Sequence, residues 1–145
     1  MELSAARRDH GFTLIEVLVV VIIIGILSAI AIPAFASQRH KAVDASMKTD
    51  ARTLATHLES YWLDRAEYPT GIVFTAPTVT FGEETVTMSP GNIPRVFGSA
   101  SPHSLCIQVT NPGASDPVAG VVWMVDAGGL QALGSTCSGY PTPVL

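Results

Sequence analysis

The most prominent pattern along the chain is a continuous apolar run from Phe12 to Phe35, which contains a single charged residue, Glu16. In a helix that rises about 1.5 Å per residue, such a run is roughly 36 Å long and crosses a hydrocarbon core of about 30 Å. Arg7 and Arg8 lie just before it. Because positive residues favour the cytoplasmic side, the sequence predicts one membrane span, with residues 1–11 inside and the rest outside.

Beyond Pro33 the apolar pattern becomes one-sided, with a spacing of three or four residues that is typical of a helix packed on a core. The apolar stripe consists of Val43, Met47, Ala51, Leu54, Leu58 and Tyr61 or Trp62. The opposite face holds Lys41, Asp44, Lys48, Arg52 and Glu59. The pattern predicts that the helix continues to about Asp64, because Pro69 and Gly71 stop it soon afterwards.

From Ile72 onward, short apolar segments alternate with glycine, proline, serine and asparagine, a pattern typical of short strands and turns. The predicted strands are Val79 to Phe81, Thr85 to Met88, Leu105 to Thr110, Val121 to Val125 and Leu130 to Leu133. Gly82-Glu83-Glu84 is the predicted turn of a hairpin. The fold class is therefore α+β, with a long N-terminal helix packed on a small antiparallel sheet.

Composition adds two points. The net charge is -4, and only six lysines and arginines follow Gly11, so nothing indicates a nucleic-acid surface. Cys106 and Cys137 are the only cysteines. An even number in an exported chain predicts one disulfide, with two free buried thiols as the alternative. A bridge of this loop length stabilises a domain by roughly 3 to 4 kcal/mol.

Glu16 is the anomaly of the apolar run. A charge at mid-bilayer costs about 2.5 to 3.5 kcal/mol on insertion scales, so an acid in a span indicates a function. Its position near the cytoplasmic end lowers that cost, and a plain anchor that tolerates an interfacial acid is the alternative. The run contains no lysine or arginine. A cationic partner for Glu16 must therefore come from another molecule or from a newly made amine.

A cleaved secretory signal is a further alternative, because Ala34-Phe35-Ala36 is an acceptable cleavage pattern. The apolar run is, however, longer than the usual 7 to 15 residues of such a signal. Arg7 and Arg8 also suggest twin-arginine export, but the polar or small residues that follow them do not fit that signal.

The residues Gly11-Phe12-Thr13-Leu14-Ile15-Glu16 resemble the processing site of the type IV pilin and pseudopilin family. The resemblance implies that a prepilin peptidase cleaves after Gly11 and methylates the new amine of Phe12. It implies the pilin fold, with four regions in chain order. These are a leader at 1–11, a transmembrane and assembly half of the helix at 12–35, an amphipathic half at 36–65, and a sheet head with a C-terminal disulfide loop at 66–145.

The same resemblance implies an assembly role for Glu16 and Phe12. The amine at Phe12, favoured from a neighbouring subunit, neutralises Glu16 and draws that subunit into register. Gly25 and Pro33 fall where the family has helix breakers, so the segment between them bends or melts locally, with a mild kink as the alternative. Tyr68, before Pro69, is expected to pack at the corner between helix and loop.

The sequence offers little chemistry. His40, His57 and His103 lack metal-ligand spacing, and no nucleophile elbow or phosphate loop is present. Glu83 and Glu84 with Asp126 are the only candidates for calcium, which requires six to eight oxygen ligands. We therefore expect no enzyme activity, no metal and no cofactor.

The resemblance implies a structural subunit of a type IV pilus, stored in the membrane and polymerised into an extracellular filament for adhesion, motility or DNA uptake. The first alternative is a major pseudopilin of a type II secretion or competence system. The second is a membrane-anchored binding module that never polymerises. The implied partners are identical or related subunits, a prepilin peptidase, an inner-membrane assembly platform and lipid, with nucleic acid only as filament cargo.

Overall fold

A computed structural model of the protein describes residues 11–98, 104–131, 135–140 and 142–143. The chain forms two compact units, Met1–Ser37 and Gln38–Leu145. One helix, α1, runs from Leu14 to Arg65, so it contributes to both. It ends where Ala66 takes a left-handed conformation with φ of 56° and its N–H bonds to Trp62 O at 2.7 Å, a common helix C-terminus.

The second unit contains two antiparallel sheets. The strands are β1 (Val73–Thr75), β2 (Thr78–Phe81), β3 (Glu84–Thr87), β4 (Ile93–Gly98), β5 (Leu105–Thr110), β6 (Val121–Met124), β7 (Gly129–Leu130) and β8 (Thr142–Pro143). The first sheet has the order β1-β2-β3, and the second has the order β7-β6-β5-β4-β8. The central pairing of the second sheet sets Val96 opposite Ile107, and both side chains are fully buried.

The core of the second unit forms between the amphipathic part of α1 and the sheets. Met47, Ala51, Leu54 and Leu58 are completely buried, which confirms the predicted stripe. Each fully buried large apolar side chain contributes roughly 1.5 to 3 kcal/mol relative to exposure. The ends of the stripe, Val43 and Tyr61 among them, are partly buried against this core. The predicted α+β class is therefore confirmed.

Two buried aspartates of α1 attach loops to the helix. Asp50 accepts hydrogen bonds from Ser89 N at 2.7 Å, from Ser89 Oγ at 3.1 Å and from Asn92 Nδ2 at 2.6 Å. Asn111 Nδ2 in turn donates to Asn92 Oδ1 at 2.6 Å. Asp50, Asn92 and Asn111 are all buried, so their hydrogen bonds offset the cost of removing polar groups from water.

Asp44 repeats this arrangement one and a half turns earlier. It accepts hydrogen bonds from Ser115 N at 3.0 Å and from Ser115 Oγ at 2.6 Å. Burial alone raises the pKa of Asp44, but the bonds from Ser115, with Lys48 and His40 nearby, outweigh burial and hold that pKa below its usual value. His40 also holds this loop, because its Nδ1 lies 2.9 Å from Gly113 O.

Cys106 of β5 and Cys137 form a disulfide, and both are buried. The segment after Cys137 is also held by Tyr140, whose hydroxyl donates to Asp126. That bond, with a second one from Ser104 Oγ at 3.2 Å, holds the pKa of Asp126 below its usual value. Burial and the same carboxylate raise the pKa of Tyr140.

The structure corrects three details of the predicted fold. There are two small sheets rather than one, and the sequence pattern missed β1, β4 and β8. Asp44 was assigned to the exposed face of α1, but it is only 7% exposed because the loop around Ser115 covers it. Of the predicted strand at 130–133, only Leu130 lies in a strand, β7; Gln131 lies after it, and residues 132 and 133 lie outside the described part.

Candidate processing and assembly site

The helix begins at Leu14, and the residue before it, Thr13, caps its N-terminus. Glu16 N donates to Thr13 Oγ1 at 3.3 Å, and Thr13 N donates to Glu16 Oε2 at 2.9 Å. This reciprocal pair is a capping box, which satisfies two amide groups that have no partner inside the helix. The Thr13 hydroxyl also donates to Glu16 Oε2, at 2.7 Å.

Thr13 is therefore a hydrogen-bond partner of Glu16 that the sequence analysis did not predict. The local signal was present, because threonine followed three residues later by glutamate at the start of an apolar run is a known N-terminal signature. Thr13 supplies hydrogen bonds but no positive charge. Both bonds fall on Oε2, and within the described residues Oε1 of Glu16 accepts none. The predicted pairing of Glu16 with the amine of Phe12 stays a prediction.

Gly11 and Phe12 lie before the first turn, outside regular secondary structure. Both are exposed, and Phe12 keeps 80% of its surface accessible. Glycine has no side chain to hinder an extended backbone in a protease cleft. The predicted cleavage point is thus accessible in this chain. The rest of the predicted leader, including Arg7 and Arg8, lies outside the described residues.

The helix surface beyond Glu16 is apolar on every side. Phe12, Ile15, Val19 and Val20 line a shallow apolar depression beside the Glu16 carboxylate. The large apolar side chains from Leu14 to Phe35 are all exposed in the single chain. By length and composition, α1 is the one helix among the described residues that is able to cross a membrane. A helix that is apolar all round requires lipid or other helices around it.

Gly25 and Pro33 do not interrupt α1, which continues through both positions. Proline has no N–H, so Pro33 leaves the carbonyl of Ala29 without its usual helical donor. A Cβ atom at Gly25 would meet no atom within 4 Å, so no neighbour in the single chain requires glycine there. Local bending or melting between these residues stays a prediction about the assembled state.

The structure separates the side chains that were considered for metal binding. Glu84 lies 3.3 Å from His57, whereas the Asp126 carboxylate accepts from Tyr140 and Ser104. Across the described ranges, no group of three or more His, Cys, Asp or Glu side chains is placed to hold a metal ion. His103 lies outside those ranges.

Tyr68 packs against the core, and its hydroxyl donates to Glu59 Oε1 at 2.7 Å. Burial and the neighbouring carboxylate raise the pKa of Tyr68 well above its usual value. A phenol that holds its proton this firmly is a structural hydrogen-bond donor, in agreement with the predicted packing role at the end of the helix.

Comparison with known proteins finds similarity over less than half of the chain. Residues 6–32 match the prokaryotic N-terminal methylation motif. The chain is 43% identical over 63 residues to the type II secretion system core protein G of Pseudomonas aeruginosa, an alignment that covers 43% of this chain and 44% of that protein. The similarity confirms, for this segment, the resemblance that begins at Gly11.

Two further relatives extend this result. The core protein G of Dickeya chrysanthemi is 38% identical over 64 residues, which cover 44% of this chain and 42% of that protein. The type IV major pilin protein PilA of Myxococcus xanthus is 43% identical over 61 residues, which cover 42% of this chain and 28% of that protein. The chain thus spans less than half the length of these relatives, and no solved structure matches it.

Proposed function

We propose that this chain is a structural subunit of a filament of the type IV pilin class, stored in the membrane and then polymerised. The observation that carries the proposal is the N-terminal segment, in which an accessible Gly11-Phe12 pair precedes a capped Glu16 and a helix that is apolar on every side. The segment also matches the methylation motif, and it is similar to proteins named as a pilin and as secretion core proteins.

Processing is the first step of the proposed function. A prepilin peptidase cuts after Gly11 and methylates the amine of Phe12. Arg7 and Arg8 keep the leader in the cytoplasm, so the second unit lies outside, where the disulfide between Cys106 and Cys137 is stable. The chain contributes no catalysis of its own in this scheme.

Assembly follows from charge. The cut creates a cation at Phe12 close to an acid at Glu16, and an opposite charge lowers the cost of keeping a carboxylate ionised in lipid. Thr13 occupies only Oε2, which leaves Oε1 for the amine of a neighbouring subunit. The apolar helices then replace their lipid contacts by contacts with each other. In this step Gly25 and Pro33 allow the helix to bend or melt locally. An inner-membrane platform delivers the subunits.

We propose an extracellular pilus as the destination, with adhesion, motility or DNA uptake as its use. The second candidate is the short filament of a type II secretion or competence system, which the similarity to core protein G favours. Relatives of both classes are similar to this chain. The choice between the two candidates therefore depends on whether the filament extends from the cell surface or stays within the envelope.

The mass of the mature N-terminus and the behaviour of Glu16→Ala test the proposal in cells that contain the assembly machinery. We expect a mature chain that starts at methylated Phe12. We expect the Glu16→Ala variant to insert into the membrane but to be absent from the filament fraction. Glu67→Ala, an exposed acid in the second unit, is the matched control and should assemble normally. Normal incorporation of Glu16→Ala, or a chain that keeps its leader, would overturn the proposal.

Shearing cells separates the two destinations. A long surface pilus releases this chain into the sheared fraction, whereas a short secretion filament stays with the envelope. A released chain supports the pilus, and a retained but polymerised chain supports the secretion candidate.

A further inference from the structure

Three cations lie on one exposed face of α1 within the second unit. Lys41, Lys48 and Arg52 are seven and four residues apart, so their side chains project from the same side of the helix. Lys41 and Arg52 are exposed and Lys48 is half-exposed. In the part of the chain that the structure describes, none of these three residues, here called the basic stripe, forms an ion pair.

The nearest acid on the same helix does not neutralise this stripe at the surface. Asp44 is four residues before Lys48, but it is buried and both of its oxygens accept hydrogen bonds from Ser115. Asp50 is likewise buried under its own loop. Both carboxylates therefore face the interior of the unit. Lys48 and Asp44 act on each other only as neighbouring charges, and none of the three cations forms an ion pair within the described residues.

An excess of acid lies at the other end of the same unit. Asp64, Glu83 and Glu84 are exposed and line one polar pocket, and they are here called the acidic corner. The two bases at this pocket are already engaged: His57 lies 3.3 Å from Glu84, and the Arg65 guanidinium lies 4.3 Å over the Tyr61 ring. A hydrogen bond with Tyr61 is the main cause that raises the pKa of Arg65, and Glu83 and Asp64 contribute only as neighbouring charges.

The stripe and the corner do not pair within one chain. Even the stripe residue nearest to Asp64 on the helix, Arg52, is twelve residues from it, which is about 18 Å along the helix axis. That distance exceeds the Debye length of about 10 Å at moderate salt, so screening weakens the attraction between these two residues inside one molecule. The second unit therefore has a basic face and an acidic end of opposite charge, and no ion pair joins the two within the described residues.

We propose that the basic stripe of one copy docks against the acidic corner of a second copy of this chain. The inference rests on the proposed filament, and it names the surfaces through which the second units meet. A polymer of identically oriented copies needs two different surfaces that fit each other, because the same patch cannot serve as both donor and acceptor of a head-to-tail contact. The charges of this unit meet that requirement.

Such a contact sets orientation more than affinity. Opposite charges across an interface guide the approach and fix the register, and like charges placed opposite each other cost several kcal/mol. Two copies that met stripe to stripe or corner to corner would repel, so only the head-to-tail arrangement is favoured. Glu16 and the apolar helix supply the affinity in the proposed filament, and the charged contact selects which copy fits next.

A zero-length carbodiimide cross-link tests the contact on the assembled full-length chain, because this reagent joins a lysine amine to a carboxylate that touches it. We expect a ladder of covalent multimers and peptides that join Lys41 or Lys48 to Asp64, Glu83 or Glu84. The Lys41→Arg, Lys48→Arg double variant keeps the charges but removes the amines. It should assemble and lose these joined peptides, whereas a link between the Phe12 amine and Glu16 of a neighbouring copy is unaffected. Assembled filaments without any such joined peptide would overturn the inference and leave the proposed function standing.

Charge reversal gives a second, independent test. Lys48→Glu with Arg52→Glu should lower the filament fraction at least about tenfold, because like charges then face each other. Adding Asp64→Lys and Glu83→Lys to the same chain reverses both surfaces and should restore assembly. Arg95→Glu, an exposed reversal on β4, is the control and should assemble as the unaltered chain does.

The outcomes separate the two proposals. Unchanged assembly of the Lys48→Glu, Arg52→Glu variant contradicts the docking surfaces, while a simultaneous loss of assembly in Glu16→Ala still supports the filament. A chain with its native sequence that never polymerises overturns both. Thermal unfolding of each variant in detergent micelles identifies any loss that comes from misfolding, and the swapped chain must assemble again for the inference to hold.

Discussion

Asp50 on the long helix and Asn92 just before β4 are joined by a buried hydrogen bond of 2.6 Å, although Asn92 lies 42 residues after Asp50 in the chain. The Asp50 carboxylate also holds both the amide and the hydroxyl of Ser89. A single side chain of α1 thus fixes the loop that leads from one sheet to the other.

Replacement of Asp50 tests how strongly this loop is held. Asp50→Ala removes the acceptor of both Ser89 donors and leaves Asn92 Nδ2 with Ser46 Oγ at 3.3 Å, so we expect a loss of about 2 to 4 kcal/mol in unfolding free energy. Denaturant unfolding of the full chain in detergent micelles measures it. Thr53→Ala, an exposed change on the same helix, should stay within about 0.5 kcal/mol. Equal effects of the two changes would contradict the assignment.

Asp44 makes the stability of the second unit depend on pH. Its pKa is lower in the folded chain than in the unfolded chain, so the carboxylate form is bound more tightly by the fold. The resulting stability is present above the usual carboxyl pKa of about 4 and is lost as the pH falls through the folded value. Unfolding midpoints measured from pH 7 to pH 3 should fall less steeply for Asp44→Asn than for the exposed control Asp64→Asn. If the unfolding midpoints of the two variants fall equally steeply with pH, Asp44 does not cause the pH dependence.

The capping box predicts a specific effect of Thr13 on the first turn. Thr13→Val removes the hydroxyl that receives the Glu16 amide, at a cost of roughly 0.5 to 2 kcal/mol, which corresponds to about 2-fold to 30-fold faster exchange of that amide. Hydrogen exchange in detergent micelles measures this rate. Thr13→Ser keeps a hydroxyl and should exchange at nearly the rate of the unaltered chain. If the serine and valine variants exchange equally fast, the cap does not form.

Gly120 allows a close approach between a loop and β5. It has φ of +63°, and a Cβ atom there would collide with the carbonyl oxygen of Val109. Gly128 has a similar φ of +80° but open space around it, so it is a matched control. Both changes to alanine carry the conformational cost of a positive φ. We expect Gly120→Ala to lower the unfolding free energy by about 1 to 3 kcal/mol more than Gly128→Ala, because only the first overfills its site. Equal losses would mean that the loop moves away freely.

Periodic patterns account for the parts of the fold that the sequence predicted. The predicted C-terminal end of the helix, about Asp64, is within one residue of the observed end at Arg65. The predicted bounds of β5 are the observed ones. β4 was missed because Pro94 lies inside it, and proline normally excludes a segment from a sheet. The partners of Asp44 and Asp50 lie at least 39 residues away, so a local pattern placed Asp44 at the surface and gave no sign of either attachment.

The cleavage point and Glu16 were predictable for a different reason, since residues 11–16 are six consecutive positions. The charge of Glu16 in an apolar run and the glycine before Phe12 are local signals. The basic stripe and the acidic corner were not predicted as a pair, because their relation depends on which acids are buried. Only the structure shows that Asp44 is withdrawn from the surface.

The capping box also bears on maturation. Thr13 and Glu16 both lie after the proposed cut, so removal of the leader takes away no atom that defines the first turn of the helix. The peptidase would then exchange a neutral amide for a charged amine while the geometry around Glu16 stays the same. In the proposed function, maturation is thus a change of charge at a fixed position, and the first turn of the helix has its assembly geometry before the cut.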